Sequence, residues 1–337
     1  MRTILFTGYP GFLGSALLPR VLARSGDTVA VCLVQSKFAP LARQRAAEFG
    51  DRVRIVEGDI TRPLQLPSAE LEEIYHLAAI YDLSVPRDVG MRVNVEGTRH
   101  VLHFAERCPS LRRLHYMSTC YVSGRHDGVF GEDDLDVGQY FNNFYEETKF
   151  LAEIEVRKCT GLPCTIYRPS VVVGDSRTGE TQKFDGPYYV MQWILRQPRI
   201  AILPVVGRPK KYRFNVIPRD FIIEAIDFLS TRGGKCYQVA DPSPLTVDEI
   251  IKTFASATGR TIVRIPLPQT LAKLGAPMLR IPRAAVNYFT HPTTYDTTNA
   301  QRDLAGSGIV IPRFSDYAAR LVEFARAHPE IGSAAMA

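Results

Sequence analysis

A tyrosine and a lysine four positions apart are the residues of this sequence best suited to acid–base chemistry. Tyr145 and Lys149 occur in the stretch FYEETKFLAEIEV, whose composition is typical of a helix. Residues four apart lie on one helix face, so both side chains are predicted to point the same way. A nearby ammonium group favours the tyrosinate and lowers a phenol pKa that starts near ~10. We therefore predict that Tyr145 exchanges a proton with a reacting oxygen.

Two hydroxyl side chains stand at the end of an apolar segment upstream of this pair. The stretch MSTCYVSG places Ser118 and Thr119 where a predicted strand ends. A hydroxyl in that position can donate a hydrogen bond to a carbonyl oxygen as charge develops on it. We predict that Thr119 holds the reacting oxygen beside Tyr145, with Ser118 as the alternative. Thr119, Tyr145 and Lys149 are the candidate catalytic residues.

The N-terminal sequence TGYPGFLG contains three glycines at the spacing of a dinucleotide-binding loop. Gly8 permits a tight turn, Gly11 lets the backbone approach a pyrophosphate, and Gly14 allows close packing of helix against strand. The helix that follows presents free N–H groups and the positive end of its dipole to the phosphates. The loop residues predicted to contact a nicotinamide dinucleotide are Gly8, Tyr9, Pro10, Gly11, Phe12, Leu13 and Gly14. Hydride transfer accompanied by the Tyr145 proton is the chemistry that this combination predicts.

The residues after the second predicted strand bear on the choice between NAD and NADP. Folds specific for NAD usually carry an acidic residue there for the ribose hydroxyls. This sequence has Gln35, Ser36 and Lys37 instead, with no carboxylate. Ser36 and Lys37 are suited to holding a 2′-phosphate. NADP(H) is therefore the predicted cofactor, and NAD(H) is the alternative.

Strands and helices alternate through the first half of the chain, as in a parallel sheet covered on both faces. The predicted fold is α/β, a Rossmann-type doubly wound parallel sheet with a smaller C-terminal substrate lobe. Residues 1–174 are assigned to the dinucleotide-binding domain, to which later segments are expected to return, and residues 175–330 mainly to the substrate lobe. Strands are predicted at 3–7, 28–34, 53–57, 73–77, 114–118 and 164–173.

Motifs spread along the chain carry a resemblance to a known family. They are TGYPGFLGS, GDI at 58–60, HLAA at 76–79, NVEGT at 94–98, MSTCYVSG, YEETK and YRPSVVVGDSRTGE. With these motifs the chain resembles the extended short-chain dehydrogenases/reductases. More narrowly, it resembles the branch that holds fatty acyl-CoA reductases of the male-sterility type and the thioester reductase domains of carboxylic acid reductases and peptide synthetases. Those reductases often have arginine where this chain has Gln35.

The resemblance implies a reductase that delivers hydride to a carbonyl group, and it adds residues around the cofactor. Asp59 and Ile60 would flank the adenine. Ala78 and Ala79 would back the cofactor. The run Tyr167, Arg168, Pro169 and Ser170 would lie along the nicotinamide side.

The C-terminal half favours an apolar small-molecule substrate. Aromatic and aliphatic residues follow one another closely at Tyr188, Tyr189, Met191, Trp193 and Ile194, and residues 267–289 are apolar with interspersed lysine and arginine. Such side chains bury best against apolar ligand surface; the alternative is that they form the core of the second lobe.

An acyl thioester or aldehyde is the leading substrate class, with a link to coenzyme A or a carrier left open. The basic stretch that contains Lys210, Lys211, Arg213 and Arg219 is one place where a phosphate of such a group could bind. A hydroxysteroid or sterol-type dehydrogenase is the alternative enzyme. A sugar-nucleotide epimerase and a non-catalytic NADP sensor are less favoured.

Composition excludes several other classes of function. The formal charge of +6 suits an anionic cofactor or substrate but is too scattered for nucleic acid. The six cysteines form no CxxC pair and no zinc-ligand spacing, so no metal site is predicted. No apolar run approaches ~20 residues, so no membrane span is predicted, while the 267–289 stretch leaves peripheral membrane contact open. The N-terminus has no signal-peptide pattern, and we expect a cytoplasmic monomer or homodimer.

Overall fold

The computed structural model describes residues 2–276 and 281–332. Its strands are β1 (Arg2–Thr7), β2 (Thr28–Val34), β3 (Val53–Glu57), β4 (Leu71–His76), β5 (Arg113–Met117), β6 (Gly128–Phe130), β7 (Cys164–Pro169), β8 (Val171–Val173), β9 (Ile200–Val206), β10 (Val216–Pro218), β11 (Cys236–Val239), β12 (Thr261–Leu267) and β13 (Thr293–Tyr295). Its α-helices are α1 (Gly14–Ala23), α2 (Ala39–Ala46), α3 (Arg87–Gly90), α4 (Gly97–Ala105), α5 (Phe144–Lys158), α6 (Tyr188–Leu195), α7 (Arg219–Leu229), α8 (Val247–Thr258), α9 (Gln269–Gly275), α10 (Thr298–Leu304) and α11 (Phe314–Ala327).

The main sheet has seven parallel strands in the order β3-β2-β1-β4-β5-β7-β11. The order reverses between β1 and β4, which creates a crevice at the carboxyl ends of these strands. In open α/β sheets a ligand binds at such a switch point. The predicted Rossmann-type doubly wound sheet is confirmed.

Helices cover both faces of the sheet, and the central strand β1 is apolar on both sides. In β1 the side chains of Ile4, Leu5 and Phe6 are fully buried. Ile4 and Phe6 belong to the cluster that includes residues of α1 and α7. Leu5 belongs to the cluster that includes residues of α4 and α5. The alternation along one strand thus supplies the core on both sides.

The second lobe is built around its own apolar cluster. Residues of α6, α8 and α11 meet there, with Tyr188, Met191, Ile194, Phe254 and Leu321 all nearly inaccessible. The short parallel pair of β9 and β12 packs on this cluster through its inner face.

The C-terminal half does not lie wholly in this lobe. Strand β11 completes the main sheet beside β7, and α7 and α10 pack on it.

A buried ion pair joins α5 to β7. Glu153 and Arg168 are both inaccessible to solvent, and each Glu153 oxygen accepts a hydrogen bond from the guanidinium, at 2.7 and 3.1 Å. Ser118 donates to the same carboxylate at 2.5 Å, and the remaining Arg168 N–H groups reach the carbonyls of the 131–134 loop. Burial raises the pKa of Glu153, but the charge and hydrogen bonds of Arg168 outweigh it and hold that pKa below its usual value. Helix α5 is therefore fixed against the ends of β5 and β7.

Removing the cation of this pair should destabilise the protein strongly. Arg168→Met leaves the Glu153 carboxylate buried beside an apolar side chain, and the loss of one partner of a buried pair costs about 3–5 kcal/mol. Arg157→Met is the matched control, because Arg157 pairs with the same carboxylate from a partly exposed position and at 3.0 Å. Urea unfolding should show a cost of less than about 1 kcal/mol for the control. An equal loss of unfolding free energy in the two variants would show that the buried pair contributes no more to stability than the partly exposed one.

Candidate active site

Helix α5 places both predicted acid–base residues on one wall of a large cavity. The helix begins at Phe144 because the Asn143 side chain caps it, accepting a hydrogen bond from the Glu146 backbone N–H at 3.0 Å. Tyr145 and Lys149 then lie one turn apart, both nearly buried, and both border a cavity of about 610 Å³. The same cavity reaches the glycine loop at the switch point of the sheet.

Lys149 is held by the end of β5. Its ammonium group donates to the Met117 carbonyl at 2.7 Å and to the Tyr116 hydroxyl at 3.0 Å. An ammonium has three N–H donors, so one remains for a ligand in the cavity. Burial lowers the pKa of Lys149 to about 7, although the nearby Glu153 carboxylate opposes the shift.

The protonation of Tyr145 differs from the sequence-based expectation. We expected Lys149 to lower the Tyr145 pKa, but Lys149 gives its hydrogen bonds to Tyr116 and Met117 instead. Burial raises the Tyr145 pKa above its usual value, and a hydrogen bond with Thr119 opposes this only in part. Tyr145 therefore keeps its proton at neutral pH, as a residue that donates a proton must.

The structure separates the two candidate hydroxyls. Thr119 lies beside Tyr145, and its side-chain oxygen also accepts a hydrogen bond from the Tyr121 backbone N–H at 3.2 Å. Ser118 donates a hydrogen bond to the buried Glu153 carboxylate instead. Both border the cavity, but only Thr119 interacts with Tyr145, and its hydroxyl also donates to the Pro169 carbonyl at 3.5 Å.

The glycine loop has the close backbone approaches that a dinucleotide site requires. Gly8 adopts a φ of +91°, which only glycine accepts readily, and a Cβ there would lie 2.8 Å from the Ala78 nitrogen. A Cβ on Gly14 would lie 2.4 Å from the Gly8 carbonyl oxygen. All seven predicted loop residues, Gly8 to Gly14, border the cavity.

Other residues that border the cavity also fit a nicotinamide dinucleotide. Ala78 and Ala79 border the cavity as the resemblance implies, and so do Pro169 and Ser170. The Ser170 hydroxyl is buried and has no hydrogen-bond partner among the described residues. A buried hydroxyl of this kind is expected to find its partner on a ligand. The residues that border the cavity therefore fit a nicotinamide dinucleotide.

Of the residues predicted at the adenosine end, all but Ser36 border the cavity. Gln35 and Lys37 border the cavity with Asp59 and Ile60. The Gln35 amide donates to the Asp59 carboxylate at 2.9 Å, which orients that carboxylate. Ser36 hydrogen-bonds Glu57 outside the cavity. It is therefore not placed to contact a 2′-phosphate.

Tyr167 and Arg168 do not lie along the nicotinamide side as the resemblance implies. The Tyr167 ring lies in the core, with its hydroxyl 3.0 Å from His115 Nδ1. Arg168 is engaged with Glu153. Both precede the end of β7, so their side chains lie below the sheet edge, whereas Pro169 and Ser170 reach the edge.

Sequence reasoning also missed a charged group beside Tyr145. The Tyr81 ring packs edge-on against that of Tyr145, with centroids 4.9 Å apart. Asp185 accepts a hydrogen bond from the Tyr81 hydroxyl and pairs with Lys183 at 2.7 Å. The Lys183 ammonium lies 3.7 Å from the Tyr81 ring centroid. No local motif marks these residues, because two separate loops bring them together.

A second missed residue, Arg45, braces the glycine loop. It donates to the Pro10 carbonyl at 3.0 Å and to the Ser15 hydroxyl at 3.2 Å. The sequence around Arg45 predicted only a basic helix. The contact with the loop depends on how that helix packs, which the sequence does not show.

Aromatic and aliphatic side chains line the far wall of the cavity, but most of the residues predicted from the cluster on α6 are not among them. Of the cluster on α6, Tyr189 borders the cavity, whereas Tyr188, Met191 and Ile194 are core residues and Trp193 packs against β9. Residues outside α6 supply most of this wall, namely Leu83, Tyr121, Phe214, Ala285, Tyr288 and Phe289. Of the 267–289 stretch, residues 277–280 lie outside the described residues.

No metal centre is found in the part of the chain that the structure describes, where no three His, Cys, Asp or Glu side chains lie close enough to share an ion. His76, at the end of β4, is structural. Its ring bonds Thr7 at 2.8 Å and Thr98 at 3.2 Å, and burial lowers its pKa to about 3.

Two solved structures with the same fold cover nearly the whole chain. The terminal R domain from the myxalamid PKS-NRPS biosynthetic pathway matches with a TM-score of 0.82 and 27% identity, over 98% of this chain and 92% of that one. A thiolation-reductase di-domain from an archaeal non-ribosomal peptide synthetase matches with a TM-score of 0.76 and 18% identity, over 98% and 76%. At that identity the second likeness shows the fold alone.

Curated relatives are similar in sequence over most of the chain. The nonribosomal peptide synthetase asaC of Aspergillus flavus is 24% identical, over 90% of this chain and 34% of its own length. The 3-beta-hydroxysteroid dehydrogenase of Mycolicibacterium neoaurum is 29% identical, over 78% and 72%. The chain thus spans about a third of the first relative and nearly three quarters of the second.

Tyr145→Phe removes the proton that the reacting oxygen needs while keeping the ring that packs on Tyr81. Turnover should fall by about two orders of magnitude or more, with cofactor affinity retained. Tyr140→Phe is the control, because Tyr140 is largely exposed and should keep normal turnover. Steady-state kinetics and fluorescence titration with the cofactor measure both properties. Near-normal turnover in Tyr145→Phe would remove this residue as the acid.

The family model described as male sterility protein, an NAD-binding domain, matches residues 6–226, more than half of the chain. Together with the fold and the cavity, this match confirms the resemblance that the motifs indicated. The chain belongs to the male sterility family of extended short-chain dehydrogenases/reductases and is an NAD(P)-dependent oxidoreductase.

Proposed function

We propose that this protein reduces the carbonyl group of an apolar acyl thioester or aldehyde, with NADPH as the preferred hydride donor and Thr119, Tyr145 and Lys149 as the catalytic residues. The observation that supports this most is the continuity of one cavity. It runs from the glycine loop past Tyr145 to the aromatic and aliphatic wall. A carbonyl beside Tyr145 thus has room for an apolar chain on the side away from the cofactor.

The role of each catalytic residue follows from the proton or hydrogen bond that it can donate. The bound cofactor supplies hydride to the carbonyl carbon. Thr119 donates a hydrogen bond to the carbonyl oxygen, and Tyr145 donates its proton as negative charge develops there. Lys149 keeps its third N–H for the cofactor ribose. With a thioester, the protonated adduct is a hemithioacetal. Its C–S bond then breaks, its hydroxyl proton passes to the sulfur, a thiol leaves and an aldehyde forms.

The relatives favour thioester chemistry. The similar solved structure is described as a terminal R domain of a PKS-NRPS pathway, and one curated relative is a nonribosomal peptide synthetase. This chain covers only 34% of the latter, so the carrier-linked substrates of such an assembly are a proposal here. The basic stretch at Lys210, Lys211 and Arg213 would suit the phosphate of coenzyme A or of a carrier arm.

A hydroxysteroid dehydrogenase is the second candidate. The relative of that name from Mycolicibacterium neoaurum is 29% identical over 78% of this chain. The same three catalytic residues would then act on an apolar secondary alcohol, with Tyr145 accepting rather than donating the proton.

The cofactor preference is tested at Lys37, the cation that borders the adenosine end of the cavity. Lys37→Ala should lower catalytic efficiency with NADPH by about tenfold, because a charged hydrogen bond to the 2′-phosphate is lost. Efficiency with NADH should stay the same. Lys158→Ala is the control, since that exposed lysine lies on α5 outside the cavity. A protein that prefers NADH before any substitution would overturn the preference.

The substrate class is tested with acyl-CoA thioesters and aldehydes of increasing chain length. Each CH₂ buried against the apolar wall is worth about 0.8 kcal/mol, or roughly fourfold in catalytic efficiency, until the cavity is full. Leu83→Ser makes that wall more polar and should flatten the series, whereas the exposed Val129→Ser should not. A flat series in the unmodified protein, or higher activity on 3β-hydroxysteroids, would contradict the proposal.

A further inference from the structure

An exposed aliphatic face lies on the second lobe, outside the cavity. Strand β9 buries Ala201, Leu203 and Val205 and turns its alternate residues outward. Ile200 and Ile202 are 63% and 49% exposed, and Val263 and Ile265 on β12 are 46% and 47% exposed. The register pairs Ile202 with Val263 and Pro204 with Ile265. Helix α9 adds Leu271 and Leu274, both more than half exposed. We call these seven residues, Ile200, Ile202, Pro204, Val263, Ile265, Leu271 and Leu274, the lobe face.

The basic charge of the chain is concentrated in the two sequence segments that supply this face. Segments 186–219 and 259–295, which contain the whole lobe face, hold twelve lysines and arginines and no aspartate or glutamate. The rest of the chain holds 29 basic and 35 acidic residues, so its formal charge is −6. The overall charge of +6 is therefore due entirely to these two segments.

The cations flank the aliphatic residues on several sides. Arg199 and Arg260 precede the two strands, and the backbone bond from Thr261 to Arg199 at 2.9 Å brings them together. Lys210 and Lys211 lie in the loop that follows β9, and both are exposed. Arg196, Arg199, Arg208, Lys210, Lys211 and Lys273 form no ion pair with the residues that the structure describes. Their charge is therefore not neutralised within the described chain.

Two kinds of protein partner fit this face poorly. A second copy of the chain would bring like charges together, at a cost that grows with each pair. Addition of a strand from another chain is blocked at Ile202, because its backbone N–H and C=O already bond the Gln197 and Trp193 side chains. Strand addition needs those backbone groups to be free.

We propose that the lobe face docks on an anionic lipid bilayer. The interfacial region of such a membrane offers anionic headgroups to the flanking cations and apolar surface to the aliphatic residues between them. None of the helices among the described residues is long and apolar enough to cross a bilayer, so the contact proposed is with its surface.

The lobe face and the cavity share one layer of structure. The helical turn Arg283–Thr290 packs Val286 against Val206, at the end of β9, and against Ala276, which follows α9. The same turn lines the cavity with Ala285, Tyr288 and Phe289. A bilayer at the face would therefore lie beside a turn that forms part of the apolar wall. This link to an apolar substrate rests on the proposed function, whereas binding to lipid does not.

Binding of the full chain to lipid vesicles tests the proposal without any turnover measurement. Vesicles of phosphatidylcholine alone are compared with vesicles that also contain phosphatidylglycerol, by co-sedimentation at low and high salt. We expect binding to the anionic vesicles to be about tenfold tighter or more, and to weaken with salt, since each cation near an anionic surface contributes roughly fivefold. Equal binding to both vesicle types, or binding to neither, would overturn the proposal.

Double variants distinguish vesicle binding through the lobe face from binding through the rest of the protein surface. Ile202→Ser with Ile265→Ser, and Lys210→Glu with Lys211→Glu, should each weaken binding to anionic vesicles by about tenfold or more. The controls are Val129→Ser with Val310→Ser, and Arg112→Glu with Lys158→Glu, all exposed residues away from the face. Thermal unfolding checks that every variant is folded.

Three results would contradict the assignment to lipid. Controls that weaken binding as much as the face variants would show a non-specific surface effect. Concentration-dependent dimerisation that Ile202→Ser abolishes would assign the face to a second copy. Binding of an acidic carrier protein without binding to anionic vesicles would assign it to a protein partner. Loss of vesicle binding in Ile202→Ser with Ile265→Ser, with normal activity on long acyl chains, would leave the proposed function standing.

Discussion

Glu153 and Arg168 form a fully buried ion pair, and the position of helix α5 depends on it. The carboxylate lies on the same face of α5 as Lys149 and Tyr145, one and about two turns farther along. Arg168 fixes that carboxylate to β7, and Ser118 fixes it to the end of β5. A helix held at Glu153 can neither slide nor rotate much without breaking buried charged hydrogen bonds. Tyr145 is therefore presented at the sheet edge in one orientation.

Burial shifts the pKa values of Tyr145 and Lys149, the two candidate acid–base residues, in opposite directions. It raises the Tyr145 pKa and lowers that of Lys149, because the charged form of each loses hydration. The nearby Asp185 carboxylate adds to the effect on Tyr145. A protonated tyrosine in this site suits the direction in which a carbonyl is reduced. Lys149, with two of its donors committed to the chain, is placed to orient a ligand rather than to ionise the tyrosine.

Local patterns predicted the parts of the site that depend on local geometry. The glycine spacing predicted the loop, and the four-residue spacing predicted that Tyr145 and Lys149 share a helix face. Positions that depend on packing were harder to predict. Tyr167 lies two residues before Pro169, the last residue of β7, but deeper in the sheet, where its ring is part of the core. The aromatic cluster on α6 likewise packs mainly on α8 and α11, because an apolar helix face satisfies a lobe core as well as a ligand. The loops that bring Tyr81 and Asp185 together meet only in the folded chain.

Hydride transfer inside this cavity is tested most directly by isotope tracing. The unmodified protein is incubated with a long-chain acyl-CoA and NADPH that carries deuterium at both C4 positions, and the product is analysed by mass spectrometry. We expect deuterium on the former carbonyl carbon, one atom in an aldehyde or two in an alcohol, and none elsewhere. A reduced product without deuterium, or no product from any acyl thioester or aldehyde while NADPH binds, would contradict the account.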